Sequence, residues 1–284
     1  MTQRPRLPDF LVAGATKCGT TSLHQWLSAH PQVWMPQKEL RFFTTQHNWA
    51  RGVDWYRDRF AGAPEGAVLG EASNSYTRDP VYAGVPERIA AVVPDVKILY
   101  MIRDPMKRLE SHYRHRLVTG IEWRPPARAI RADPRYMAAS LYGHQVSRLA
   151  EVLPAERILV LEAERVFAEP DAQLRRLSAF LGIDAARGPA FSAENVTADR
   201  LVAPWPIRRA AAHPRIKDPA KAAARAIARS PLRVLLASAS SRKFDLPAEL
   251  RADLARRFAE DRAVLDGFLQ HQTAPDNAIE ETVR

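Results

Sequence analysis

Cysteine is almost missing from this chain. Its 284 residues include one, Cys18, so an intrachain disulfide and a cysteine-based zinc cluster are both excluded. Long apolar runs are missing too: no stretch approaches the roughly 18 apolar residues of a membrane-crossing helix. The opening MTQRPRLPDF has no apolar core of a secretory signal, so a cytoplasmic enzyme of bacterial type is the expectation. No internal repeat and no domain boundary stand out. With 46% hydrophobic residues the chain can bury a sizeable core, and one domain over residues 1–284 is expected.

Acidic residues are scarce in one segment. Leu201–Lys243 carries ten lysines and arginines against the single acid Asp218, which is +9 of the net +10. Within it Lys221, Arg225, Arg229 and Arg233 recur every four residues, one face of a helix that Pro231 disturbs. Such a stripe is either a solvated helix face or a rim for an anionic partner: an acidic glycan, a nucleotide or a membrane surface. It has no interleaved aromatics and no recognisable binding module, so no specific nucleic-acid partner is expected.

Glycine is sparse as well, 12 in all, yet Gly14 and Gly19 bracket one short loop that is the most informative part of the chain. In FLVAGATKCGTTSL the apolar run Phe10–Ala13 enters the loop and a helical pattern leaves it. Gly14-x-x-x-x-Gly19 followed by Thr20-Thr21 has the spacing of a phosphate-cradling loop, but the lysine expected after the second glycine stands inside the loop as Lys17. Backbone N–H groups at the helix start still attract an anion through the helix dipole, while the cation comes from the loop side. This suits a nucleotide whose transferred group is not the γ-phosphate of ATP. For Cys18, in the same loop, packing and a stabilised thiolate are both open.

Downstream, a helix over about Thr20–Ala29 buries Leu23, Trp26 and Leu27. Lys38–Phe43 (KELRFF) follows a proline-rich turn, Arg51–Phe60 is an aromatic-rich short helix or loop, and Ala67–Glu71 is a short strand ending in an acid. Pro86–Val93 reads as a helix and Val96–Ile102 as a buried strand. Pro105 then opens a helix through about Val118. Gly120–Pro134 reads as irregular. A helix at Tyr142–Val152, a strand at Ile158–Leu161 and a helix at Pro170–Leu181 closed by Gly182 come next. Ser192–Arg215 reads as loop and Pro247–Leu269 as a terminal amphipathic helix. The alternation predicts an α/β fold in three layers, P-loop-like, with a central parallel sheet flanked by helices.

Taken in order, FLVAGATKCGTTSL, KELRFF, GEASNSY and YMIRDPMKRLESHYRH resemble the sulfotransferases that use 3′-phosphoadenosine 5′-phosphosulfate (PAPS), in particular the carbohydrate and bacterial branch. The resemblance runs from Asp9 to about Leu181. It implies transfer of a sulfuryl group from PAPS to a hydroxyl, or second an amine, of a glycan, lipid or secondary metabolite, an anionic acceptor included. It implies no metal, and the eight histidines show no ligand spacing. PAPS presents a 5′-phosphosulfate and a separate 3′-phosphate, so two anion sites are needed. The resemblance assigns the first to Lys17, Cys18, Gly19, Thr20, Thr21 and Ser22, and the second to Arg103 at a strand end with Ser111 on the next helix. Arg200 is assigned to a loop over the nucleotide. Lys17 would stabilise charge on the leaving phosphate and Glu71 would be the general base.

Several residues keep two readings. Glu71 is also explained as a strand-end carboxylate paired to a basic neighbour, and His112 competes with it as base. Relatives commonly have lysine where this chain has Ala72, and histidine where it has Arg41. Lys38 and Arg41 face either sulfate, an acidic acceptor or solvent. Trp55 and Tyr56 form either an acceptor platform or core. Two other functions remain open here: a P-loop phosphotransferase with Asp104 holding magnesium, and a non-catalytic basic polyanion binder.

Overall fold

A computed structural model describes residues 6–119, 121–192 and 244–273; Arg200 and the basic segment 201–243 lie outside the described residues. Five apolar runs become strands: β1 (Phe10–Gly14), β2 (Val33–Trp34), β3 (Val68–Ala72), β4 (Lys97–Ile102) and β5 (Ile158–Glu162). They form one sheet in the order β2-β3-β1-β4-β5, parallel at every pairing. All five residues of β1 are buried, as befits a central strand covered on both faces. Each fully buried Leu, Ile or Phe of these strands contributes about 1.5–3 kcal/mol of apolar burial. Gly70 of β3, opposite Phe10 in register, leaves room for that ring, because a Cβ there would overlap it.

Helices alternate with the strands along the chain. They are α1 (Thr20–Ala29), α2 (Gly52–Asp58), α3 (Val85–Val92), α4 (Pro105–Val118), α5 (Pro126–Ala132), α6 (Arg135–Ala138), α7 (Tyr142–Ala150), α8 (Ala163–Ala168), α9 (Pro170–Leu181) and α10 (Ala248–Thr273). α1 and α9 coincide with their expected bounds, and Gly182 closes α9 at φ 76°. The expected irregular stretch 120–134 instead contains α5. Pro126 occupies its first turn, where a proline has no N–H to lose and a preset φ, so the paired prolines start a helix rather than prevent one.

Two compact units emerge. Among the described residues, the first comprises 6–105, 138–192 and 257–273, the second 106–119, 121–137 and 244–256. The sheet and its core, with Leu11, Leu23, Leu27, Phe42, Phe43, Tyr56 and Ile98, belong to the first. In the second, Leu109, Tyr113, Leu117, Ile130 and Tyr136 are buried. No helix among the described residues is long and apolar enough to cross a membrane.

Candidate active site

β1 lies between β3 and β4, and the chain continues from β3 to β4 across it, so the ends of these three strands surround the loop that follows β1. In open parallel sheets this is where ligands gather. The loop is pinned at its start by the Ala15 amide, which donates to the Met101 carbonyl of β4 at 2.7 Å. It turns through Lys17 at φ 70° and Gly19 at φ 83°, and α1 begins at once. The first helical bond is Leu23 N–H to Gly19 O at 3.3 Å, so the amides of Thr20, Thr21 and Ser22 precede the helical ladder. No side chain caps this end and no acid stands in the first turn. The positive end of the helix dipole therefore faces the loop uncompensated by a carboxylate. Thr20 and Ser22 are buried and Thr21 is exposed.

Cys18 is different from its neighbours. Its side chain is fully buried with Sγ 3.6 Å from the Tyr142 hydroxyl, and its amide is engaged to Ala15 O at 3.2 Å. Packing against Tyr142 accounts for the burial of its side chain.

Arg103 follows β4 and comes to the same loop. Its Nη1 donates to the Lys17 carbonyl at 3.2 Å, which joins two of the expected anion-binding residues. From the other side comes KELRFF. This segment is not a strand; it is held to the end of β3 by Glu39 N–H to Ala72 O at 2.8 Å, Arg41 N–H to Ser73 Oγ at 2.8 Å and Phe42 N–H to Tyr76 OH at 2.9 Å. Lys38 Nζ then reaches Thr21 Oγ1 at 3.0 Å. Arg41 bonds Glu39 Oε2 at 3.1 Å and His47 Nε2 at 3.3 Å.

Glu71, on β3 opposite Leu11, has no exposed surface. It accepts hydrogen bonds from Ser73 Oγ, from Tyr76 OH at 2.7 Å and from Tyr56 OH at 3.3 Å. The basic partner that a structural carboxylate would have is not present among the described residues; its hydrogen-bond partners are hydroxyls. Burial pushes its pKa up to about 7 against the opposing pull of the Ser73, Tyr76 and Tyr56 hydrogen bonds, with the Glu39 charge adding to the rise. Through Ser73 and Tyr76, which in turn accept from the Arg41 and Phe42 amides, Glu71 positions KELRFF. Tyr56 is core: it is fully buried and stacks on Phe42 at 4.2 Å. Trp55 stays half-buried at the surface between Arg51 at 4.7 Å and Arg59 at 5.1 Å.

Glu39 was not singled out by sequence reasoning, yet it is the carboxylate of this region that meets solvent, with 27% of its side chain exposed. Its backbone sits at φ 65°, and its Oε1 accepts from Asn74 Nδ2 at 3.0 Å. Nothing in KELRFF as a string says which of its charges points where, since the turn that decides it depends on the unusual φ values of Glu39 and Arg41.

Ser111 and His112 belong to the second unit, on α4. Ser111 is half-buried. His112 is buried, with its ring 4.9 Å from Tyr136, and Arg108 Nη1 donates to His112 Nδ1 at 3.2 Å. A nitrogen that already accepts from a guanidinium is a poor proton acceptor, which counts against His112 as base. Asp104 is exposed, and its amide donates to Glu164 Oε1 at 3.1 Å.

The sequence model described as the sulfotransferase domain matches residues 7–199. The chain belongs to the sulfotransferase family. Membership of the family weighs against the phosphotransferase and the non-catalytic binder. Among similar proteins, bifunctional heparan sulfate N-deacetylase/N-sulfotransferase 2 of Bos taurus is 31% identical over 203 residues, covering 63% of this chain and 22% of that protein. Heparan sulfate glucosamine 3-O-sulfotransferase 5 of Mus musculus is 26% identical over 191 residues, covering 63% and 54%. The chain thus spans between about a fifth and about half of the length of these curated relatives. A solved sulfotransferase from Alicyclobacillus acidocaldarius is 32% identical with a TM-score of 0.59, covering 67% of this chain and 87% of that one.

Proposed function

We propose that this sulfotransferase moves a sulfuryl group from PAPS to a hydroxyl, or second an amine, of a glycan. The contact of Arg103 with the Lys17 carbonyl carries the reading, because it brings a strand-end guanidinium to the anion loop within one unit of the molecule. The loop has the features such a donor needs: first-turn amides, no first-turn acid, and Gly19, where a Cβ would crowd the Phe167 ring at 2.9 Å. Lys17 and the amides of Thr20, Thr21 and Ser22 would hold the 5′-phosphate, and Arg103 would hold the 3′-phosphate. The donor supplies the sulfuryl group: its sulfur–oxygen bond to the 5′-phosphate breaks as one to the acceptor forms, and the acceptor's proton passes to a carboxylate.

Glu39 is that carboxylate in this reading, since a base must touch the atom it deprotonates and Glu39 is reachable. Glu71 is the second reading. Its pKa of about 7 is favourable for a base at neutral pH, but a contact with acceptor requires its three hydroxyl partners to part. The glycan class rests on relatives whose names specify N- and 3-O-sulfation of heparan sulfate. Sulfur-labelled PAPS incubated with desulfated heparan fragments, N-acetylated fragments and neutral oligosaccharides tests it. Label on a heparan fragment is the expected result; transfer to none of the glycans while a phenol or lipid alcohol is labelled would overturn the glycan reading.

A further inference from the structure

The loop after β1 is approached by cations from both sides. Sheet order puts β4 on one side of β1 and β3 on the other. Arg103 comes from the β4 side to the Lys17 carbonyl, and Lys38 comes from the β3 side to Thr21 Oγ1 at 3.0 Å. β3 ends in alanine at position 72, so its own end offers no cation; Glu39, bonded to the Ala72 carbonyl, fixes the backbone that brings Lys38 there. Thr21 Oγ1 accepts from Lys38, which leaves the hydroxyl hydrogen of Thr21 to donate elsewhere.

The next step rests on the donor reading above. PAPS is a linear array in which the 5′-phosphate separates the nucleoside 3′-phosphate from the sulfuryl group. With the 3′-phosphate at Arg103 and the 5′-phosphate on the loop, the array continues toward β3. We propose that Lys38 is a second catalytic cation of this enzyme, donating to the oxygens of the sulfuryl group while Lys17 serves the phosphate. Lys38 is half-buried, and partial burial lowers its pKa while the Glu39 charge opposes that fall. An ammonium so placed gains more from an incoming anion than a fully solvated one. Its neighbour Glu39 then stands on the same side, where the acceptor must enter for in-line attack.

The test compares two nucleotides that differ by the sulfuryl group, PAPS and 3′-phosphoadenosine 5′-phosphate (PAP). Calorimetry without acceptor is run on wild type, Lys38→Met and Lys38→Arg, together with single-turnover transfer. Loss of a charge-assisted hydrogen bond to the sulfuryl group predicts PAPS affinity lowered about tenfold or more in Lys38→Met, with PAP affinity changed less than about threefold. Turnover should fall on the order of 10²-fold, and Lys38→Arg should recover part of both effects. Equal loss of PAP and PAPS affinity, or no loss of either, overturns the role of Lys38. If wild type itself fails to prefer PAP over 5′-AMP, the donor reading falls instead, so the two failures are told apart.

Discussion

Arg103 Nη1 donates to the carbonyl oxygen of Lys17 at 3.2 Å, so the residue that ends one strand steadies the backbone that presents the lysine of the next. A guanidinium has five N–H donors and this contact uses one, leaving others for a phosphate. Arg103→Ala should therefore weaken PAP by about 1.5–3 kcal/mol, the range for hydrogen bonds to charged groups, while 5′-AMP affinity changes little. Arg103→Lys restores the charge without the planar fork and should recover only part of the loss. Titration of both nucleotides against the three proteins checks this.

Glu71 makes stability depend on pH in an unusual direction. Its pKa is raised by burial from the ordinary 4.5 to about 7, so the folded protein keeps a proton that the unfolded chain has already lost within that window. Stability must then fall as pH rises from about 4.5 to 7 and level off above. At 1.36 kcal/mol per pKa unit the contribution amounts to about 3 kcal/mol. Glu71→Gln carries no such proton. Chemical denaturation of both proteins at about pH 5 and pH 8 should show the variant gaining on wild type as pH increases; a constant difference would contradict the assignment.

The two carboxylates separate in turnover. Glu39→Gln should lower kcat on the order of 10²–10⁴-fold with PAP affinity and melting temperature nearly unchanged, as for removal of a general base. Glu71→Gln should chiefly alter stability, because its three hydroxyl partners must rearrange around an amide. Should Glu71→Gln abolish transfer at saturating substrate while Glu39→Gln stays active, the base is Glu71.

Gly19 is held at φ 83°, where an L-residue is strained, and a Cβ there would meet the Phe167 ring at 2.9 Å. Phe167 is 42% exposed and can swing aside, so the backbone term dominates. Gly19→Ala is expected to cost about 1–2 kcal/mol of stability. PAP affinity should fall as well, since the amides of the next three residues depend on this turn. Melting curves and PAP titrations on the one variant measure both effects.

Most of the sheet was legible in the sequence because parallel buried strands such as KILYMI are continuous apolar runs and α1 and α9 carry clean helical patterns. β2 escaped because its two residues, Val33–Trp34, are too few to show any period. α5 escaped because its prolines read as breakers when one of them serves as a helix start. At the site, the β1 loop was readable from its glycine spacing, and Arg103 entered through the family resemblance, at the end of the strand that lies beside β1. Glu39 was not readable. Its direction depends on a backbone at positive φ and on anchoring by Ala72, Ser73 and Tyr76, contacts about 35 residues away in the chain. Glu71 was recognised as a carboxylate at a strand end, but its burial and raised pKa depend on the tertiary packing of Tyr56 and Tyr76 around it.

The claim that one donor site unites the β1 loop with Arg103 is tested most directly by titrating the wild-type protein with PAP, 5′-AMP and magnesium ATP in the same buffer. The account predicts PAP binding at least about tenfold tighter than 5′-AMP, the worth of one charge-assisted contact to the 3′-phosphate, and tighter than magnesium ATP. PAP and 5′-AMP binding alike, or magnesium ATP binding best, would contradict it.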